Sequence, residues 1–377
     1  MRNPLSKSSL YFAFLVLFIF SFIVLPQCSK KFEVVKIGFI GPLTGPAASY
    51  GIAQRNGIML AAEEINGGDG VSGKKIDVVF EDSQMDPNKA ISAIKKLIDI
   101  DKVTAVIGET TTAGTLAIAE TANRTKTVLL SPSASGAKIT EAGDFVFRIS
   151  PSDSFQAIMA SKFVYEMGLK KGAVVFTNDD WGGGLQKEFQ SNFNKLGGTI
   201  LAAEGCTPGT KDFRTQLVKI KSLRPDFIYI PLHPDESAIF LRQIKELKVP
   251  GQIVGADNFS EKAILKAAGA AAEGVIFTMP TEPSGEVYKN FSNKYKAKFN
   301  EEPSYNSAAG YDSLNILVDA IKRSGFSGEK IKNALYEKKD YKGASGIIGF
   351  DQNGDVITKT FEIIQIKNGH YIPYKRP

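Results

Sequence analysis

Short apolar runs alternate with amphipathic helical patterns along most of this 377-residue chain, and the alternation runs through two successive units. Val34–Ile40, Lys75–Phe80, Val103–Ile107 and Val128–Leu130 read as strands of a first unit. Gly172–Phe176, Thr199–Ala202, Phe227–Ile230, Gln252–Val254 and Val275–Thr278 read as strands of a second. Between them, Ile58, Ala61, Ala62 and Ile65 share one helix face, as do Ile91, Ile94 and Ile98, and then Phe213, Leu217 and Ile220. Asp86 and Pro87 supply an N-cap followed by a proline at the first helical position. Strands joined through helices pair in parallel, so the pattern predicts an α/β protein.

The first unit runs to about residue 150. The second begins with a helix after "SPSDS" (150–154) and runs to about residue 280. A helix-rich segment follows, with Leu314, Leu317, Val318 and Ile321 on one face. Two final strands, near Ile347–Phe350 and Thr360–Ile366, flank the turn "DQNGD". There is no internal sequence repeat and no long linker, so the connections between units read as hinges.

The first 28 residues stand apart. Arg2 and Lys7 precede the uncharged apolar stretch Ser9–Pro26, the form of an export signal. "LPQC" ends it at Cys28 and fits a lipid-attachment site by its leucine, although Gln27 stands where a small residue is usual. The alternative is an uncleaved anchor, since about 18 apolar residues roughly span a bilayer. Both readings put the remainder outside the cytoplasmic membrane. Beyond Cys28 only Cys206 carries a thiol, so stability must come from packing rather than from a disulfide framework. The formal charge of +6 is scattered among acidic residues, which is not the stripe that binds nucleic acid.

Several motifs fail on their own terms. "GDGVSGKK" (68–75) has Lys75 where a phosphate loop needs Ser or Thr and lies before a strand, so it reads as a glycine-rich turn. "DQNGDVITKTFE" (351–362) has Asp351, Asn353, Asp355 and Glu362 at calcium-loop positions, but Val356 replaces the turn glycine and Lys359 intrudes. An Asn-Gly hairpin turn is the better reading. The glycine spacing of "WGGG" (181–184) is wrong for a dinucleotide loop. Two histidines far apart, no Cys/His cluster and no nucleophile elbow argue against an enzyme, and no metal or cofactor is expected.

One stretch does suggest a site. In "AVIGETTTAGTLAIAE" an apolar run stops at Gly108, three threonines follow, and a helix begins. In open α/β sheets ligands sit beyond the carboxyl ends of strands, where helix N-termini offer N–H groups and positive potential to an anion. The next strand ends in "SPSAS" (131–135), a second cluster of hydroxyls. A single threonine there reads more readily as an ordinary N-cap. Asp153 invites the same choice between cap and ligand.

Residues 34–98, together with "AVIGETTTAGTLAIAE", "LLSPSASGAKITEAGDFVFRISPSDSFQ", "KDFRTQLVKIKSLRPDFIYI" and "AAGAAAEGVIFTMP", closely resemble the leucine/isoleucine/valine-binding protein family. These are extracytoplasmic solute-binding components of amino-acid ABC importers. The resemblance covers nearly all of residues 34–355. It implies two doubly wound parallel-sheet lobes joined by a three-crossover hinge, with ligand in the cleft. The lobes then comprise residues 32–150 plus 281–349 and residues 151–280 plus 350–377, after a signal segment of residues 1–28.

The resemblance also implies roles. The family's carboxylate-binding serine falls on Thr112. Its backbone N–H and hydroxyl of the next strand end fall on Ser133 and Ser135. Its acidic ammonium ligand falls on Asp257, with Asp153 a second candidate. Tyr50 matches a family aromatic, Trp181 a tyrosine, and His233 a position where tyrosine is common. Tyr305 is placed on the far side of the cleft. The implied ligand is a free amino acid, branched-chain or otherwise apolar, delivered to the permease of an ABC importer by a protein anchored through lipid at Cys28. The other readings are a sensor that signals through a separate protein, or a binder of a small amide or carboxylate on the same fold.

Overall fold

In this computed structural model residues 34–281 and 285–375 are described. Cys28 and the segment before it lie outside them. Among the described residues no helix is long and apolar enough to cross a membrane.

Two sheets organise the chain. The first contains β1 (Val34–Gly41), β2 (Lys75–Asp82), β3 (Ala105–Ile107), β4 (Leu129–Ser131) and β5 (Val146–Arg148), all parallel, in the order β2-β1-β3-β4-β5. The second contains β6 (Lys171–Thr177), β7 (Thr199–Cys206), β8 (Phe227–Ile230), β9 (Gln252–Gly255) and β10 (Ile276–Pro280) in the parallel order β7-β6-β8-β9-β10. These two orders are the same once each sheet is numbered from its own first strand. A ribbon of β11 (Tyr341–Gly343) and β12 (Gly346–Ile348) stands apart. Then β13 (Phe361–Lys367) and β14 (His370–Pro373) extend the second sheet in antiparallel fashion beyond β10.

Helices cover both faces of each sheet, which is why the strands are apolar runs rather than alternating ones. Successive side chains still point to opposite faces. Ile107 and Leu130 enter the core shared with Leu314, Leu317 and Ile321, whereas Val106 and Leu129 enter the one shared with Ile94 and Ile118. In the second sheet Ile228 and Phe277 face Leu217 and Ile220, while Tyr229 and Ile276 face Phe189 and Phe193.

The helices that shape the site are α1 (Ala48–Gly67), α2 (Pro87–Asp99), α3 (Thr112–Thr125), α4 (Asp153–Glu166), α5 (Asp180–Lys195), α6 (Arg214–Leu223), α7 (Pro234–Glu246), α8 (Lys262–Ala268), α9 (Glu286–Phe299), α10 (Tyr305–Ser324) and α11 (Gly328–Glu337). Asp86 caps α2 by accepting from the Asn88 N–H at 2.8 Å, with Pro87 as the first helical residue. Helix α10 lies along α1. A Cβ on Gly57 would sit 2.0 Å from the Ser307 carbonyl oxygen, so only glycine permits this approach.

Two sequence expectations change. The strands on either side of "DQNGD" do not pair with each other: β12 pairs with β11, and β13 pairs with β10. Only an isolated bridge, Phe350 with Val356, closes the turn, because Asp351 Oδ1 accepts from the N–H groups of Asn353 and Asp355. Phe350 and Val356 are buried in the core of the first sheet, so residues 350–356 pack with the first lobe and not, as expected, with the second. Three short strands, β5, β11 and β14, were not foreseen, each being only three or four residues long.

Candidate functional site

Each strand end builds a piece of one cavity. After β3, Glu109 is fully buried and accepts from the Ser83 hydroxyl at 2.6 Å and from the Thr111 hydroxyl at 2.6 Å. Burial pushes this carboxyl above its ordinary value, and its hydrogen bonds to Ser83 and Thr111 oppose that rise. Thr111 is the N-cap of α3, its hydroxyl accepting from the Gly114 N–H at 3.2 Å. Gly114 must be glycine because a Cβ there would meet the Glu109 carboxylate at 2.5 Å.

Thr111 thus takes the capping role, and Thr112 becomes the first residue of α3, where N–H groups have no helical partner. The Thr112 hydroxyl accepts from the Gly136 N–H at 3.1 Å, which leaves its proton to donate. Thr110 turns the other way and donates to Gln54 Oε1 at 2.7 Å. Ser133 donates its hydroxyl to the Thr110 carbonyl at 2.8 Å and accepts from Gln54 Nε2 at 2.8 Å, so its hydroxyl proton is spent within the lobe.

The Ser133–Gly136 loop is held from behind. Arg148, fully buried, donates to the Ser135 and Gly136 carbonyls at 2.8 and 2.9 Å. It also forms a two-pronged pair with Asp355 at 2.6 and 2.8 Å. Asp355 accepts from Thr140 as well, so this carboxylate from the "DQNGD" turn braces the hydroxyl loop. Lys359, buried on the same segment, donates to the Ser345 hydroxyl at 2.8 Å and to the Tyr305 hydroxyl at 3.3 Å. Burial pulls its ammonium down to about 7.

The second lobe supplies different chemistry. Trp181 opens α5 and stacks on His233 with ring centroids 5.0 Å apart. His233 stands at the N-cap position of α7, and its Nε2 is 2.7 Å from Asp179 Oδ2. Burial opposes charge on this imidazole, but Asp179 and Glu236 outweigh it and carry the pKa above its ordinary value. Asp257 follows β9; burial pushes its carboxyl up to about 6, eased by Gln156. Asp153 is 1% exposed at the start of α4. Its carboxyl is raised well above the usual range, first by burial and then by the negative charge of Asp257.

One cavity collects Tyr50, Thr112, Ser133, Ser135, Trp181, His233, Asp257 and Tyr305, drawn from both lobes. Asp153 is not among the lining residues. It caps nothing either: Ser152 holds the cap position, and neither Asp153 oxygen makes a hydrogen bond of ordinary geometry. Its place is behind the wall, next to Asp257.

The lobes meet over this cavity. Asn306 of the first lobe donates to Glu261 of the second at 2.6 Å, both buried, and Lys138 pairs with Asp180 at 2.9 Å on the surface. Asn306 Oδ1 in turn accepts from Gln54 Nε2 at 2.9 Å. Sequence reading missed Gln54, Asn306, Glu261 and Arg148. Only Arg148 carried a signal, as a lone cation among the apolar residues of "DFVFRIS".

Two α/β lobes closed over a cavity at their strand ends define a two-lobed solute-binding protein. The chain belongs to the periplasmic binding protein family, whose sequence profile matches residues 34–370. It is similar to the leucine-, isoleucine-, valine-, threonine-, and alanine-binding protein of Pseudomonas aeruginosa, 29% identical over 89% of this chain and 91% of the relative. Among solved structures it resembles the branched-chain amino acid transporter substrate binding protein LivJ of Streptococcus pneumoniae in complex with isoleucine. That likeness has 32% identity and a TM-score of 0.84, over 90% of this chain and 98% of that one. A solute binding protein of an ABC transporter from Rhodopseudomonas palustris, in complex with 3,4-dihydroxy benzoic acid, is 25% identical with a TM-score of 0.80 over 90% and 95%. Proteins of this family bind solutes in the periplasm and are not enzymes.

Proposed function

We propose that the cavity holds a free α-amino acid and that the protein delivers it to the permease of an ABC importer. The first lobe grips the carboxylate through the Thr112 hydroxyl, the Ser133 N–H, the Ser135 hydroxyl and the N-terminus of α3. The second lobe pairs the ammonium with Asp257. The observation that carries this reading is that Thr112 and Asp257, on opposite lobes, line the same cavity. Trp181, His233, Tyr50 and Tyr305 form its aromatic walls. Only the closed form brings both ends of the ligand to their partners, so binding shifts the opening equilibrium by its differential affinity. A few charge-assisted hydrogen bonds of about 1.5–3 kcal/mol each suffice for micromolar binding, about −8 kcal/mol. The lobe assignment, with the last return after Val356, and the lipid anchor at Cys28 belong to the same proposal.

Calorimetry tests the site. Thr112→Val and Asp257→Ala are each expected to weaken amino-acid binding more than about tenfold. Near-normal affinity in both variants would overturn the assignment. The aromatic walls also suit a ring-bearing carboxylate, which is the second reading. Tight binding of a benzoate with no measurable binding of any amino acid would favour it.

A further inference from the structure

The further inference rests on the amino-acid reading and concerns the side chain. We propose that the cavity selects an α-amino acid with a neutral, hydrogen-bonding side chain, a hydroxyl or an amide, over leucine, isoleucine and valine.

The wall carries the argument. Fifteen residues line the cavity, and Ala134 is the only aliphatic one. Among the described residues no leucine, isoleucine, valine, methionine or phenylalanine reaches it. Pockets that select branched aliphatic ligands do so with apolar area, since the gain is proportional to the apolar surface removed from water. With Thr112, Ser133, Ser135 and Asp257 assigned to the α-carboxylate and ammonium, and with Thr110, Thr111 and Asn306 engaged by Gln54, Glu109 and Glu261, the polar remainder is Ser150, Asn258 and Ser260.

Two lining residues are also short of partners. Asn258 donates its amide to the Leu232 carbonyl at 2.7 Å and to the Ser237 hydroxyl at 3.0 Å. Those bonds fix the amide's orientation, and Oδ1 is left buried without a partner. His233 uses Nε2 on Asp179, and its Nδ1 is likewise buried and unpartnered. A branched aliphatic side chain packed into this space shuts water out and satisfies neither. Rejection of a ligand that leaves a site's polar groups unpaired is stronger than rejection of one that merely adds a hydroxyl to an apolar pocket.

Charge settles the rest of the class. Asp257 is the only ionisable carboxyl in the lining, and no lysine or arginine lines it. One acidic group matches one α-ammonium. An acidic side chain would meet Asp257 with no cation to offset it, and a basic one would lack a second carboxylate at the wall. Glu261 is already engaged by Asn306.

The test is calorimetry on the ligand-free protein at neutral pH, with threonine, serine, asparagine, glutamine, valine, leucine, isoleucine, lysine, glutamate and deaminated carboxylates as probes. At least one of the four polar neutral amino acids is expected to bind about tenfold or more tighter than valine, leucine or isoleucine. Ser260→Ala, which removes a lining hydroxyl, is expected to move the valine-to-threonine affinity ratio about tenfold toward valine. Aliphatic, lysine or glutamate probes binding best would overturn the side-chain inference while leaving the amino-acid reading intact. Binding of deaminated carboxylates alone would overturn both.

Discussion

The two lobes share one scaffold and divide the chemistry. Their parallel strands run in the same order, and in each the cavity is reached from the same three strand ends. After β1 and β6 the following helix presents an aromatic near its start, Tyr50 in one lobe and Trp181 in the other. After β3 and β8 a helix begins at the cavity wall, with Thr111 and His233 at the N-cap positions. After β4 and β9 come Ser133 and Ser135 on one side and Asp257 on the other. The first lobe therefore offers hydroxyls and N–H groups, and the second offers a carboxylate and an imidazole. A two-lobed scaffold needs no sequence repeat to repeat its geometry. It places equivalent loops opposite one another and leaves each free to take one end of a ligand that is negative at one end and positive at the other.

The largest effect expected from breaking this division is structural. Arg148→Ala would leave Asp355 without its buried partner and take one donor from each of the Ser135 and Gly136 carbonyls, which keep only the Asp153 and Ile139 N–H groups. We expect a loss of about 3–5 kcal/mol in urea unfolding. A loss under about 1 kcal/mol would mean that the hydroxyl loop needs no brace.

The division of labour itself can be read with a ligand that lacks its amine. Thr112→Val is expected to weaken an amino acid and its deaminated analogue alike, by about tenfold. Asp257→Ala should weaken only the amino acid. Equal losses for both ligands in the Asp257 variant would show that the second lobe does not read the ammonium.

The acidic side also predicts a pH dependence. With burial raising the Asp257 carboxyl to about 6, protonation competes with the ammonium for its carboxylate. Binding lowers that pKa, so affinity should fall as pH drops from 7 to 5, approaching tenfold per unit below about 6. Asp153 is held well above the usual carboxyl range by burial and by the negative charge of Asp257. A flat profile over that range, or a fall toward alkaline pH, would contradict the pairing.

The smallest effect belongs to the rim. Lys138 and Asp180 join the lobes in solvent, with side chains 75% and 40% exposed. Lys138→Ala should change ligand affinity by less than about fivefold, because exposed pairs contribute about 0–1 kcal/mol.

Much of this was legible in the sequence. Apolar periodicity located the two parallel sheets, since strands covered on both faces are written as unbroken apolar runs. Hydroxyls at strand ends marked the place, the family resemblance singled out Thr112, Ser133 and Ser135 there, and seven of the eight expected ligand residues line the cavity. What stayed hidden depends on contacts across long separations. Gln54 and Asn306 look like ordinary polar residues on helix faces until Gly57 lets α1 and α10 approach. Arg148 and Asp355 are 207 residues apart in the chain. The threonine register was ambiguous because capping and ligand binding ask for the same side chain, and only the buried Glu109 decides that Thr111 is the cap.

The chain contains a single tryptophan, and it is the one stacked on His233. The protein therefore carries its own optical reporter, with no label to attach and no background to subtract. Indole emission is quenched by a neighbouring protonated imidazole, so intensity should track the charge state of His233 as well as the polarity around the ring. A titration in buffer alone would register the imidazole held above its ordinary pKa by Asp179. A titration with ligand at fixed pH would register whatever displaces water from that face of the cavity.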